Sequence, residues 1–142
     1  MDWSNDLLVT FWGTRGSVPT PGRATEKYGG NTSCLEVQHK GKRLILDAGT
    51  GIRNLGVELS ARKEKGSDLD LTLLISHTHW DHIQGLPFFT PAYLPSTKLT
   101  IWGNTSREHE LAQILGGQMI EEYFPVNMTM LGADIEFKVL PE

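Results

Sequence analysis

LTLLISHTHWDH, residues Leu71 to His82, is an apolar run that leads without a turn signal into three histidines and an aspartate. Its first half, Leu71 to Ser76, predicts a short buried strand. Its second half holds His77, His79 and His82, three of the five histidines in the chain, with Asp81 between them. At this composition an H-x-H-x-D-H pattern arises by chance in roughly 3 of 10,000 sequences of this length. Imidazole nitrogens and a carboxylate are the donors that hold Zn²⁺, and also Mn or Fe. Side chains two apart on an extended segment share a side, so His77 and His79 can converge on one ion. Asp81 and His82 lie beyond, where the chain turns toward a helix, and can face a second. Two ions about 3.5–4 Å apart clamp a nucleophilic hydroxide and stabilise a developing oxyanion. Two blander readings compete. A solvated loop binding nothing would leave imidazoles beside a buried strand hard to satisfy. A structural zinc site would favour cysteine ligands and closed four-coordination.

Working outward, Leu7 to Trp12 predicts a strand that stops at the loop opened by Gly13-Thr14-Arg15-Gly16-Ser17-Val18-Pro19. Leu35, Val37 and His39 alternate with Glu36 and Gln38, the period of a half-buried strand. Lys40-Gly41-Lys42 reads as a turn into Leu44-Ile45-Leu46, a hairpin partner expected to be buried on both faces. Asp47-Ala48-Gly49-Thr50-Gly51 ends that strand. Ile52, Leu55 and Leu59 then predict a helix, stopped by the basic turn and glycine of Lys63 to Gly66. After the ligand run come a short helix over Ile83 to Phe89, a loop around Pro91 and Pro95, and a strand over Leu99 to Trp102. Next is a Thr105-x-x-Glu108 capping box on a helix burying Leu111, Ile114 and Leu115. A last strand is expected over Ile135 to Leu140, with its edge unpaired. The pattern is α/β (α+β), a meander followed by alternating elements around a mixed β-sheet.

Composition narrows the class. The 142 residues carry 13 Lys plus Arg against 17 Asp plus Glu, a net charge of −4, with 15 Gly, 7 Pro and 39% hydrophobic positions. This is the profile of one globular domain rich in loops, able to bury a core without disulfides. The mild acidity argues against a broad nucleic-acid footprint. The lone Cys34 reads as a small buried hydrophobe. No apolar run approaches the ~18 residues of a membrane span, and the start, Met1 to Asp6, has no basic leader. The expectation is therefore a cytoplasmic protein without membrane partners, in which Asn31, Asn104 and Asn127 are chance glycosylation triplets. Neither a G-x-S-x-G elbow nor a P-loop is present, and Gly49-Thr50-Gly51 lacks the third glycine of a dinucleotide loop.

The run ISHTHWDHIQG (Ile75 to Gly85), preceded by LILDAGTG (Leu44 to Gly51), resembles the signature region of the metallo-β-lactamase superfamily of dinuclear hydrolases. The opening FWGTRGSVPTPG (Phe11 to Gly22) with YGGNTSC (Tyr28 to Cys34) is similar to its phosphodiesterase branch, which includes ribonuclease Z and the phosphoribosyl cyclic phosphodiesterases. The resemblance spans Leu7 to Phe89. It implies a metallo-β-lactamase-like αββα sandwich, with His77 and His79 on the first of two divalent metal ions and Asp81 and His82 on the second. Zinc is the expected metal, Mn or Fe the alternatives. It also implies that Asp47 buttresses the ligand loop, a residue whose own context fits a hydrogen-bonded brace or a metal-site residue equally well. Members of the superfamily complete the site with a third His, a bridging Asp and a final His further along. The expectation is thus a single metallo-β-lactamase-like domain over 1–142, corresponding to the N-terminal half and truncated at the C-terminus.

The function this implies is metal-dependent hydrolysis of a phosphodiester through a metal-bound hydroxide, with Asp81 orienting the nucleophile or passing a proton. The substrate would be a small phosphodiester or an RNA end. Arg15, between Gly13 and Gly16, is either a phosphate contact or a surface arginine in a tight turn, and the backbone amides from Gly13 to Ser17 could form an anion nest. A tRNA 3′-processing endonuclease is the variant within the enzyme class. A non-catalytic metal-binding fragment or interaction module is the alternative outside it, because four ligands on one segment do not close two coordination spheres. A homo-oligomer is left open. Trp80 and Thr78 should point away from the ligands, Trp80 into packing. His39 and His109 are expected at ordinary surface or core positions.

Overall fold

The computed structural model describes residues 6–62, 67–105 and 108–141, with side chains for all of these but 108 and 109. Strands β1 (Leu8–Gly13), β2 (Cys34–His39) and β3 (Lys42–Leu46) form an antiparallel meander. Strands β4 (Leu69–Ile75), β5 (Thr97–Gly103) and β6 (Asp134–Val139) continue from β3 in parallel, so spatial order equals chain order in one six-stranded mixed sheet. This is the α/β class and mixed sheet that the sequence predicts, with β6 on the sheet edge. The β2–β3 hairpin closes through Lys40 and Gly41, both left-handed at φ 48° and 74°. A two-residue turn of that hand matches the twist of the strands it joins.

The parallel strands are connected by α1 (Ile52–Arg62), by α2 (Trp80–Ile83) with two 3₁₀ turns at Leu86–Phe88 and Thr90–Tyr93, and by α3 (Glu108–Gly117) with a 3₁₀ turn at Met128–Met130. Helix α1 buries Ile52, Leu55 and Leu59 against Ile45, Leu71, Leu73, Ile75, Leu99 and Ile101 of the sheet, one continuous core that also takes Phe89. At Gly103 a Cβ would come within 2.9 Å of Leu111, so α3 sits directly on the end of β5. The helix stop at Lys63 to Gly66 lies outside the described residues, as do residues 106 and 107 and the Glu108 side chain of the expected capping box, and the side chain of His109. Among the described residues no helix is long and apolar enough to cross a membrane.

Several local expectations are corrected. β3 and β4 are buried on one face only: Ile45, Leu71, Leu73 and Ile75 are inside, whereas Leu44, Leu46, Thr72 and Leu74 are half-buried. Their opposite face is an aligned row, Phe11, Leu35, Leu46, Leu74 and Trp102, in register across five strands. In β2 the alternation is inverted, since Glu36 is buried while Leu35 and Val37 are half-buried. The buried charge is tolerated because Arg43 pairs with it and Trp12 Nε1 donates to its Oε2 at 3.1 Å. A period of two marks the two faces without saying which is inside. Ile114 is exposed, and α3 instead buries Leu111 and Leu115, with Met119 beyond its end. The expected helix over Ile83 to Phe89 starts earlier, at Trp80, and breaks into 3₁₀ turns at Pro87 and Pro91, which supply no amide hydrogen. Pro91 is therefore buried in a 3₁₀ turn rather than lying in open loop.

Replacing Leu73 by Ala is expected to cost about 2–5 kcal/mol of unfolding free energy by urea denaturation, because it hollows the centre of the core. Ile114→Ala should cost under about 1 kcal/mol.

Candidate metal centre

Three loops at the ends of the strands converge. The segment after β3 is zipped between its neighbours: Gly49 N donates to Ser33 O at 2.8 Å, Ala48 N to His82 O at 2.7 Å, and Gly85 N to Ala48 O at 2.8 Å. Thr32 and Thr50 lock the first junction reciprocally, each backbone amide donating to the other's hydroxyl at 2.9 and 2.8 Å. The approach is so close that a Cβ at Gly49 would lie 2.3 Å from Asp81 O and one at Gly85 2.0 Å from Gly49 O. These glycines are required by packing against backbone, which a dinucleotide motif does not explain.

Asp47 is at the centre of the junction, buried and left-handed at φ 63°. Its Oδ1 accepts from Ser76 N and Ser76 Oγ, both at 2.8 Å. Its Oδ2 accepts from Ser33 Oγ at 3.0 Å and meets His82 Nδ1 at 2.7 Å. A carboxylate only accepts here, so His82 carries its proton on Nδ1 and leaves Nε2 with a free lone pair. The same reasoning reaches His77. Ser76 Oγ spends its single hydrogen on Asp47, so at 3.1 Å from His77 Nδ1 it must accept. His77 Nε2 is thereby freed as well. Sequence reasoning missed Ser33 and Ser76. The only signal for either was adjacency, Ser76 to the ligand run and Ser33 to the strand paired with the one ending at Asp47.

The predicted ligands lie together. The rings of His77 and His82 are 4.0 Å apart between centroids and those of His77 and His79 4.6 Å. His82 Nε2 faces Asp81 Oδ2 at 3.5 Å. His79 caps the start of α2, which places Asp81 and His82 in its first turn rather than ahead of it. Among the described residues no three donors converge on one point as an ion would require. The donor types suit a divalent ion, and His77 lies between the other two rings, nearer to that of His82 than to that of His79.

A fourth loop also enters. Ser17, left-handed at φ 69°, donates its backbone N–H to Asp81 Oδ2 at 2.8 Å. The amide expected to contribute to an anion nest is thus engaged by a carboxylate of the chain itself. That hydrogen bond is the main reason the Asp81 carboxyl is held below its ordinary pKa of 3.8, with electrostatic attraction to His82 and His77 acting in the same direction. Arg15, two residues earlier, is exposed and lines an open cleft of about 900 Å³ with Phe11, Lys27 and Tyr28. Trp80 is 71% exposed, so it does not pack as expected, whereas Phe88 meets Phe124 edge-on at 5.3 Å. His39 is an exposed strand end whose Nδ1 lies 3.4 Å from Asp6 O. Cys34 is fully buried, and burial, reinforced by the charges of Asp47 and Glu36, pushes its thiol up to about 12.

Residues 19–131 match the family described as anti-Pycsar protein Apyc1. Among individual proteins, ribonuclease Z of Clostridium tetani is 28% identical over 137 residues, covering 90% of this chain and 38% of that enzyme. Ribonuclease Z of Halorubrum lacusprofundi is 38% identical over 81 residues, covering 57% and 22%. The chain thus spans well under half the length of these relatives. A Thermotoga maritima crystal structure assigned to the metallo-β-lactamases superposes with a TM-score of 0.46 at 17% identity, over 96% of this chain and 60% of that one.

Asp47→Ala should destabilise the fold by about 2–4 kcal/mol in urea titrations, since it orphans several donors at once and puts a Cβ-bearing residue without a side-chain acceptor in a left-handed position. Asp47→Asn should cost less, because Asn tolerates that backbone. The Cys34 thiol should not react with a disulfide reagent at pH 8 until the protein is unfolded. Its raised pKa sets the sign of a pH effect: the neutral thiol's contribution to stability is complete below pH 9.0 and is lost as pH rises toward about 12. The alkaline decline should therefore be steeper in the wild type than in Cys34→Ala.

Proposed function

The chain belongs to the anti-Pycsar protein Apyc1 family, and from that premise we propose that it carries the ligand run of a metal-dependent phosphodiesterase. The observation that carries this reading is the Asp47–His82 hydrogen bond of 2.7 Å, which leaves His82 Nε2 free and 3.5 Å from a carboxylate oxygen of Asp81. A histidine without a role has no need of a buried carboxylate to select its tautomer. On this reading His77 and His79 hold one divalent ion, with zinc favoured by the donor set and Mn or Fe as alternatives, and Asp81 and His82 hold a second. Such ions lower the pKa of water to about 7 and act as Lewis acids toward a phosphodiester.

The residues of the chain do the remainder. Asp47 orients His82 and, through Ser76, His77. The Asp81 carboxylate, held ionised, would orient the attacking water by accepting a hydrogen bond and pass its proton on to the leaving ester oxygen as the new P–O bond forms and the ester P–O bond breaks. Arg15, two residues before the Ser17 amide that bonds Asp81, would offer a guanidinium to a non-bridging phosphate oxygen.

The similarity to ribonuclease Z favours a second reading, in which the phosphodiester belongs to the 3′ end of a tRNA precursor. The two readings separate on binding. A tRNA enzyme loses affinity steeply with salt, as several phosphates are contacted at once, while hydrolysis of a small diester responds weakly. A net charge of −4 favours the small substrate.

Replacing His77 and His79 together by Ala should reduce metal-dependent hydrolysis of bis-p-nitrophenyl phosphate by at least about 100-fold, and a chelator should do the same to the wild type. Hydrolysis at the wild-type level in the double variant, or wild-type hydrolysis indifferent to the chelator, overturns the reading.

A further inference from the structure

The loop from Gly13 to Pro19 makes a contact that its own sequence does not call for. Ser17 adopts φ 69°, a conformation that costs a residue with a Cβ about 1–2 kcal/mol. The strain is maintained by straps on both sides. Thr14 N and Arg15 N share Asn31 O at 3.1 and 2.9 Å, Val18 N returns to Gly16 O at 2.9 Å, and Thr20 N donates to Gly30 O at 2.9 Å. Gly30 allows the last of these, since a Cβ there would sit 2.2 Å from Thr20 O. What the strained conformation achieves is the aim of one N–H, at Asp81 Oδ2, 64 residues away in sequence and 2.8 Å in space.

The oxygen that accepts it is the one that faces His82 Nε2 at 3.5 Å. A carboxylate oxygen has two lone pairs, so this hydrogen bond fixes the carboxylate without consuming its capacity as a ligand. The backbone of Asp81 is confined on its other side by Gly49. No comparable contact from this loop reaches His77 or His79 among the described residues.

We infer that the Ser17 amide is a positioning group for Asp81: it holds Oδ2 toward His82 Nε2 and so builds the Asp81/His82 pair, leaving the His77/His79 pair independent of it. The inference rests on the reading that Asp81 and His82 share a divalent ion. Groups that orient a metal ligand through a hydrogen bond change affinity by about 10–100-fold when removed.

The test is a Zn²⁺ titration of the whole chain, following the ring nitrogen resonances of each histidine by NMR. Ser17→Pro removes the N–H and cannot reach a positive φ. In this variant the Zn²⁺ concentration at half-shift for His82 should rise at least about tenfold. For His77 and His79 it should stay within about threefold, well short of that effect. Ser17→Gly keeps the amide and favours the left-handed backbone, so it should titrate like the wild type. If Ser17→Pro does not fold, ester-for-amide replacement at residue 17 removes the same hydrogen alone and carries the same expectation. An unchanged His82 half-point, or a parallel shift of all three histidines, overturns the inference while leaving the proposed function standing. A His82 that does not respond to Zn²⁺ in the wild type overturns both.

Discussion

The histidine run keeps its shape because one buried carboxylate holds it. Asp47 ends β3 in a left-handed turn and gathers Ser33, Ser76 and His82 around its two oxygens. Each of those partners belongs to a different part of the chain: Ser33 to the loop before β2, Ser76 to the end of β4, His82 to the first turn of α2. Without this acceptor the junction would bury several donors with nothing to bond, at a cost comparable to a large part of a domain's net stability. The left-handed backbone at Asp47 is the cost of turning the carboxylate inward, and it is sustained because the sheet fixes both approaches. Asp47 N is bonded to Leu74 O at 2.9 Å, tying the turn to the neighbouring strand.

From this hub, geometry propagates by elimination of alternatives. A carboxylate cannot donate, so His82 must; a hydroxyl has one hydrogen, so Ser76, having given it to Asp47, must accept from His77. Two imidazoles are thereby set to the same tautomer by one anion, one of them through a single intervening hydroxyl. The glycines at 49 and 85 let the loops approach closely enough for this, since neither position has room for a methyl group.

Much of the architecture was legible in the sequence. Strand positions followed from short apolar runs, the Lys40-Gly41 turn from its composition, and α1 from the spacing of Ile52, Leu55 and Leu59. The mixed sheet followed from the order of elements. What periodicity could not supply was sidedness. In β2 either Leu35 and Val37 or Cys34 and Glu36 could face the helices, and the presence of Arg43 and Trp12 around Glu36 decided it. In α3 the expected stripe was right at Leu111 and Leu115 and wrong at Ile114, which the helix leaves exposed. At the site the histidine run was plain from its density. Ser33, Ser76 and the Ser17 amide were not, because a hydroxyl or a backbone N–H acquires its role only when a distant loop arrives.

The three imidazoles are unevenly restrained. His77 and His82 are each tied through Nδ1, whereas His79 meets only the edge of the His77 ring, at 4.6 Å, among the contacts described. Its backbone is engaged instead, as its carbonyl accepts from His82 N at 2.9 Å and begins α2. A ligand whose backbone is fixed and whose ring is free can adjust to an ion, while ligands with fixed rings dictate where the ion sits. On the proposed reading the Asp81/His82 pair is thus the rigid half of the centre, clamped by Asp47 on one side and by Ser17 on the other. The His77/His79 pair has one fixed ring and one that adapts. Discrimination between metals of different preferred geometry would then arise at Asp81 and His82, where the protein allows the ligands least freedom to follow the ion.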